Sequence, residues 1–476
     1  MSRENTDYNK ELQALINQYK AMKSAGTPLY LDADQLADIA DYYISNEQME
    51  EAEEVIDYGL NLHPGNTDLL IEKAYFYLDV QQTERAQQIA NSIADDYDPE
   101  VTLLKAEILI DLNHKEEADE LINTIHTDDN VNPYIGICNL YVDTDQAQKA
   151  LPWIKKAREM FDDTEDLLES CTHCYSACGM YKEAEETYNL LIDIDPFSSA
   201  YWTGLAKIHF LQQAYAKALE AADFAITADE NYGEAHLTKA HCLFHLNQTK
   251  GVREEYEKAI KLKAVPPEVG HLFIGLWYNE RKKFKEAYNA FERGLKAEKR
   301  CDPPLPDMLV EFYSNQAFSL MNMDRLDEAE ALCKQCKLMA PNNNEAYYIQ
   351  GRIYLIKGEE KRAIKEWKAA FDNDPVAETW FEVGNIHMAL FFFEEARTYY
   401  RKAWKLNPEL LLLNEQLAKV YLLTGDDKNF RKFNRLSKRP ISPEEMDHAL
   451  SLLNVKNLLE LDDEFFDEDD DDDEYE

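Results

Sequence analysis

Glycine and proline are scarce in this chain, at 15 and 16 of 476 residues, and basic residues are outnumbered, 50 against 92 acidic ones. Few glycines and prolines beside 45% apolar residues exclude a disordered protein, because such a chain can bury a core. The shortage of lysine and arginine leaves a net charge of −42. That argues against direct nucleic-acid binding, since phosphate affinity comes from those two residues, and equally against docking on anionic lipid. Long hydrophobic runs are missing too: Leu410–Leu413 and Met388–Phe393 are far too short to span a bilayer. The opening MSRENTDYNKELQAL has no basic stretch leading into an apolar one, so no signal peptide is expected. A cytoplasmic protein without membrane insertion is expected, its eight cysteines reduced and mostly buried.

Chemical signatures are absent as well. No G-x-S-x-G, H-E-x-x-H, P-loop or G-x-G-x-x-G occurs. Cys171, Cys174 and Cys178 bracket His173, but their spacing falls within one helix and no second C-x-x-C lies nearby. Cys333 and Cys336 occupy core positions, and His241 and His245, four apart, lack a third ligand. Neither metal nor cofactor is expected, and the chain is read as non-enzymatic.

What the sequence does contain is a recurring register. An alanine setting first seen at Ala52 returns at Ala86, Ala118, Ala150, Ala184, Ala218, Val252, Ala287, Ala329, Ala363 and Ala396, and decays at Phe430. Most steps are close to 34 residues. With that alanine as position 20, position 8 is always small (Ala40, Ala74, Ala106, Cys138, Thr172, Ala206, Ala240, Gly275, Ala317, Gly351, Gly384, Ala418). Position 11 is nearly always large, for example Tyr43, Tyr77, Tyr141, Tyr278 and Tyr354, and position 24 is mostly bulky, as at Ile56, Phe291, Trp367 and Tyr400. Small residues at 8 and 20 let two antiparallel helices approach, and large ones at 11 and 24 fill the space beside the contact. Position 15 is Gly or Asn at Asn113, Gly179, Asn247, Gly358 and Gly425, residues that tolerate a left-handed helix end. Proline at position 32 (Pro64, Pro196, Pro341, Pro375, Pro408) stops the second helix.

This pattern resembles the tetratricopeptide repeat, bacterial-type, whose W-x2-L-G-x2-Y…A-x3-F…P signature is followed by Trp202, Leu205, Ala206, Ala218 and Ala222. Tyr347, Gly351, Tyr354, Ala363, Trp367 and Pro375 follow it again, as do Trp380, Gly384, Ala396, Tyr400 and Pro408. The resemblance implies an all-α, right-handed solenoid of about twelve helix-turn-helix units. Eight are expected at 33–66, 67–98, 99–130, 131–164, 165–198, 199–232, 233–267 and 268–298, and four at 310–343, 344–376, 377–410 and 411–443. Units three and four are read as degenerate. An N-terminal capping helix is expected within 1–32, with Leu12, Leu15, Ile16, Tyr19 and Met22 on one side. Ser442-Pro443-Glu444-Glu445 reads as a capping box opening a C-terminal capping helix over 444–461. The three prolines of Asp302–Asp307 predict a loop over 299–309, which either divides two stacks or, in the preferred reading, is only a longer linker. The run Asp462–Glu476, with twelve acidic residues and no basic one, is expected to be disordered. It either aids solubility or masks the basic stretch Lys428–Arg439.

The family likeness further implies that first helices line a concave groove through positions 2, 5, 9, 12 and 13. Candidate groove residues are Asp34, Asp41, Asp68, Glu107, Asp111, Asn139, His173, Lys207, His241, His245, Arg352 and Asn385. The early ones are acidic, so the N-terminal half is expected to receive a basic segment of a protein or peptide partner and the C-terminal half a more apolar one; the alternative is that an acidic protein simply has acidic faces. The same acidity has the wrong sign for gripping a C-terminal carboxylate. The function expected is therefore an interaction scaffold or adaptor. By fold-level analogy alone, an adaptor serving a cell-envelope or secretion assembly from the cytosol comes second, and a cryptic metal-binding or enzymatic role third. Oligomeric state is open.

Overall fold

A computed structural model of the chain describes residues 3–25, 30–46, 48–94, 98–126, 130–248, 250–301, 303–373, 377–389, 391–442 and 446. Among them every regular element is a helix. The chain folds as two compact units, Met1–Val265 and Pro266–Glu476.

In the first unit α1 (Arg3–Ala25) precedes seven helix pairs. They are α2 (Ala33–Ser45) with α3 (Met49–Leu62), α4 (Thr67–Asp79) with α5 (Thr83–Ala90), α6 (Pro99–Asp111) with α7 (Lys115–Ile122), and α8 (Asn132–Asp143) with α9 (Leu151–Met160). There follow α10 (Glu165–Ala177) with α11 (Tyr181–Ile194), α12 (Ser199–Leu211) with α13 (Tyr215–Ala228), and α14 (Gly233–His245) with α15 (Val252–Lys261). The second unit holds α16 (Pro267–Glu280) with α17 (Phe284–Glu298), α18 (Pro306–Asn322) with α19 (Leu326–Met339), and α20 (Asn344–Ile356) with α21 (Glu360–Asn373). It continues through α22 (Ala377–Ala389) with α23 (Phe393–Leu406) and α24 (Leu413–Leu423) with α25 (Asp427–Leu436).

The register explains the packing. Every position-20 residue from Ala52 to Ala396 is completely buried. Positions 8 and 24 meet within a repeat. A methyl group added at Gly351 would lie 2.1 Å from the Trp367 ring nitrogen, one at Gly275 2.3 Å from Phe291, and one at Gly384 2.6 Å from Tyr400. Glycine stands there because only a bare backbone clears an aromatic ring at that distance.

Position 15 closes each first helix. All eleven described examples have positive φ, from 55° at Asn247 and Lys282 to 74° at Gly358. Beside the glycines and asparagines already noted, Gln81, Asp145, Gln213, Lys282, Asp324 and Phe391 adopt the same conformation. What imposes it is a pair of hydrogen bonds. In every repeat the position-16 N–H donates to the position-11 carbonyl at 2.7–3.0 Å, as from Gln82 to Tyr77 and from Arg325 to Leu320. The position-15 N–H donates to position 12, as from Asn113 to Ile110 at 2.8 Å. This is a Schellman closure. Several first helices start on side-chain caps, such as Asn66, Thr164, Ser198 and Asn343.

Several details differ from the sequence reading. The shortest second helices are α5 and α7, eight residues each, so the second repeat is shortened as well as the third. In the fourth, Pro152 lies in the first turn of α9 and Ala147–Lys149 form a separate 3-10 turn, because proline fits only the start of an α-helix. The loop after α17 is shorter than 299–309: Pro306 already occupies the first turn of α18. Across this loop Phe312 of α18 packs on Gly294 of α17, and the division between compact units lies at Val265/Pro266. α1 buries Ile16 and Tyr19 against α2 and α3, with Leu12, Leu15 and Met22 beside them. The expected C-terminal capping box and helix and the acidic run lie outside the described residues, apart from Ser442 and Met446.

Candidate partner-binding surface

Successive first helices pack directly on one another, α2 on α4, α4 on α6, α6 on α8 and α8 on α10. Among the described residues second helices of neighbouring repeats do not pack this closely. First helices therefore form the tighter, inner layer of the first unit, and their outward positions share one surface.

That surface gathers carboxylates. Asp41 of α2 and Glu72 of α4 hydrogen-bond to each other. Glu72 is half-buried, and its carboxyl is pushed up to about 8, first by burial, then by Asp41, Asp68 and Asp79. Burial also raises Asp41, partly offset by the hydrogen bond from Glu72. One helix further, Glu107 is raised to about 7 by burial, then by Asp111, Asp143 and Asp79. The Tyr75 hydroxyl feels both, raised first by burial and then by Glu107, Glu100 and Glu72. The groups acting most strongly on Glu72 and Glu107 are all acidic. Burial raises both carboxyls first, and the further rise caused by their neighbours reports a negative local potential.

Of the residues named from sequence, Asp41, Asp68, Glu107 and Asp111 belong to this field. Asp34 is exposed in the first turn of α2, and nothing ties it to the others. Asn139 of α8 accepts a hydrogen bond from the Ser170 hydroxyl at 3.0 Å. His173 is exposed on α10. Lys207 pairs with Glu234 at 2.9 Å. His241 and His245 join an aromatic patch on α12 and α14. His245 stacks on Tyr215 at 4.7 Å, and Phe210 stands edge-on to His245 at 5.1 Å. His241 is half-buried and lowered to about 4 by burial and then by His245. Arg352 and Asn385 belong to the other compact unit. Arg352 sits over Phe318 at 5.9 Å, and Asn385 accepts a hydrogen bond from the Tyr400 hydroxyl at 2.8 Å.

The sequence reading missed Glu72 and Tyr75. Glu72 is at position 6, outside the positions scanned. The available signal was its place four residues after Asp68, on the same helix face as that acid. The clustered cysteines are packing residues: Cys138, Cys171 and Cys174 are fully buried, and burial raises each thiol.

The tetratricopeptide repeat family matches this chain at residues 377–410 and 173–198. The first match begins and ends with one repeat of the register, and the second ends with another. The chain is 25% identical over 293 residues to a DnaJ homolog subfamily C member 7 homolog of Dictyostelium discoideum, covering 53% of this chain and 51% of that one. It is 30% identical over 132 residues to a TPR repeat-containing protein of Methanocaldococcus jannaschii, covering 27% and 23%. A solved tetratricopeptide repeat protein from Parabacteroides merdae is 18% identical, with 53% of this chain and 97% of that one covered and a TM-score of 0.44. The chain spans about half, or less, of the length of these curated relatives. At residues 173–198 and 377–410 the register that organises every helix pair is that of the tetratricopeptide repeat.

Proposed function

We propose that the chain is a protein-interaction scaffold whose first unit receives a lysine- and arginine-rich segment of a partner along the first-helix layer. The observation that carries this reading is the gathering of Asp41, Glu72, Glu107 and Asp111, within which Glu72 and Glu107 are raised first by burial and then by neighbouring carboxylates. A cationic segment laid along it relieves that repulsion, and steers association through the same field. The aromatic patch of Phe210, Tyr215 and His245 lies on the first-helix side of the same unit, where an apolar or aromatic residue of the segment would sit. Binding spread over many modest contacts suits such a layer better than one anchoring pocket.

The test is fluorescence anisotropy with a labelled Lys/Arg-rich peptide and a Glu-rich control, at low and moderate salt. The basic peptide is expected to bind, more weakly as salt rises. Asp41→Lys, Glu107→Lys and Asp111→Lys together are expected to weaken it by about tenfold or more. Equal binding of both peptides, or an affinity unmoved by the three reversals, would refute the proposal.

A further inference from the structure

Glu298, the last residue of α17, is only 1% exposed. A carboxylate there is disfavoured twice. Burial strips its water, and the C-terminal end of a helix already carries partial negative charge. Proteins keep such a group ionised when a cation or several donors compensate. Among the described residues no lysine, arginine or histidine pairs with Glu298. Its carboxylate accepts one hydrogen bond, from the Leu305 N–H at 2.5 Å, and its second oxygen has no donor among the described residues. The adjacent Lys299 places its Nζ over Tyr313, 5.3 Å from the ring centre.

What does meet Glu298 is two more ligand groups. Glu268, in the first turn of α16, contributes a carboxylate oxygen, and Cys301, in the loop after α17, contributes Sγ; all three atoms lie within 4.8 Å of one another. The antiparallel return of α17 along α16 creates this meeting by bringing the end of one helix to the start of the other. Two carboxylates and a thiol at that distance, with no positive charge among them, are an incomplete electrostatic arrangement.

We propose that Glu268, Glu298 and Cys301 hold a divalent metal ion of the zinc class. Tetrahedral Zn²⁺ binds carboxylate oxygen at roughly 2.0–2.2 Å and thiolate at roughly 2.3 Å, so the ligand atoms need draw together only modestly. Cys301 is exposed and Glu268 is only partly buried, which leaves both side chains room to move onto the buried Glu298. The thiolate selects zinc, cobalt or cadmium over magnesium or calcium, which prefer all-oxygen sites. The Leu305 N–H orients Glu298 from the outer shell. The exposed side at Cys301 leaves the fourth position to water. The bound ion supplies the cation that Glu298 lacks and clips the loop to the α16–α17 pair. This proposal is independent of the acidic surface in the other unit.

The test titrates Co²⁺ alone into the full chain after chelator treatment and follows the thiolate-to-metal charge-transfer band. A saturable band is expected, absent in Cys301→Ser and shifted to at least about tenfold weaker affinity in Glu298→Gln. Cys301 is exposed, so its serine variant is expected to fold like the parent, checked by circular dichroism. In parallel, Zn²⁺ is expected to raise the Tm of the parent chain and leave that of Glu298→Gln unmoved. In chelator the same variant is expected to be at least as stable as the parent, because glutamine removes an uncompensated buried charge. No thiolate band, a band retained in Cys301→Ser, or an equal Zn²⁺-induced Tm rise in Glu298→Gln would overturn the assignment.

Discussion

Replacing Glu72 by glutamine should make the first unit more stable at pH 8 and leave it nearly unchanged at pH 5. The carboxyl of Glu72 is lifted from an ordinary 4.5 to about 8 in the folded chain. The folded state therefore holds this proton over a range in which the unfolded state has released it. Below about pH 4.5 both states are protonated and the full stability is present. As pH rises toward 8 the folded chain pays progressively more than the unfolded one to keep or lose the proton, and unfolding becomes easier. At about 1.4 kcal/mol per pH unit the whole lift corresponds to about 5 kcal/mol. Residual solvent contact of a half-buried group, and the sharing of the proton with Asp41, reduce this to an effect of about 2–3 kcal/mol.

Glutamine mimics the protonated acid. It keeps a donor toward Asp41 and never ionises, so its pH curve lacks this fall. The assay is urea unfolding of parent and Glu72→Gln at several pH values between 5 and 8.5, followed by circular dichroism. The charges facing Glu72 are Asp41 from α2 and Asp68 and Asp79 from its own helix, with Tyr75 and, through it, Glu107 beyond. Added salt should narrow the gap by screening them. Parallel pH curves for the two proteins, or a gap at pH 5 as large as that at pH 8.5, would refute the reasoning.

Gly351→Ala should cost about 1–3 kcal/mol of unfolding free energy, because its methyl would meet a completely buried Trp367 at 2.1 Å. Adding Trp367→Ile should recover some of that loss in a double-mutant cycle, since Ala40 and Ile56 fill the same two positions in the first repeat. Lys282→Gly should raise stability by roughly 0.5–1 kcal/mol, read as an increase in Tm, because exposed Lys282 holds φ 55° where glycine is unstrained. His241→Gln should flatten the loss of stability on acidification. The folded imidazole is lowered to about 4 against 6.5, so its contribution is present above about pH 6.5 and fades as pH falls through 4, which acid titration of unfolding would detect.

The repeat register could be read from sequence because its causes are steric and local. A methyl group either fits beside Trp367 or Phe291 or it does not, and Gly351 and Gly275 record the answer in residue type. The left-handed closure was legible only where Gly or Asn marked it. At Gln81, Lys282 and Phe391 residue type gives no sign, because the hydrogen bonds from positions 15 and 16 and the packing of the next helix enforce a conformation that the side chain itself disfavours. Pro306 was visible as a helix breaker, but whether a proline ends a helix or begins one depends on which side the packed turn lies.

The candidate surfaces divide along the same line. The acidic sign at positions 2, 9 and 13 follows from composition plus register, so Asp41, Asp68, Glu107 and Asp111 could be named in advance. Glu72 could not, because what singles it out is not its charge but its half-buried place opposite Asp41 on a neighbouring helix. Glu268, Glu298 and Cys301 are a harder case. Each is unremarkable alone, in a chain where acidic residues abound, and Cys301 sits in a stretch that reads as a proline-rich linker. Only the return of α17 brings the three to one point, and only the near-complete burial of Glu298 separates them from a chance surface cluster. Where carboxylates crowd on a half-buried layer, as around Glu107, retained protons can ease the repulsion and a mobile partner can finish the task. Where one is buried at the negative end of a helix, with a thiol and a second carboxylate beside it, a bound cation compensates it more directly, which is why the two acidic clusters are assigned different ligands.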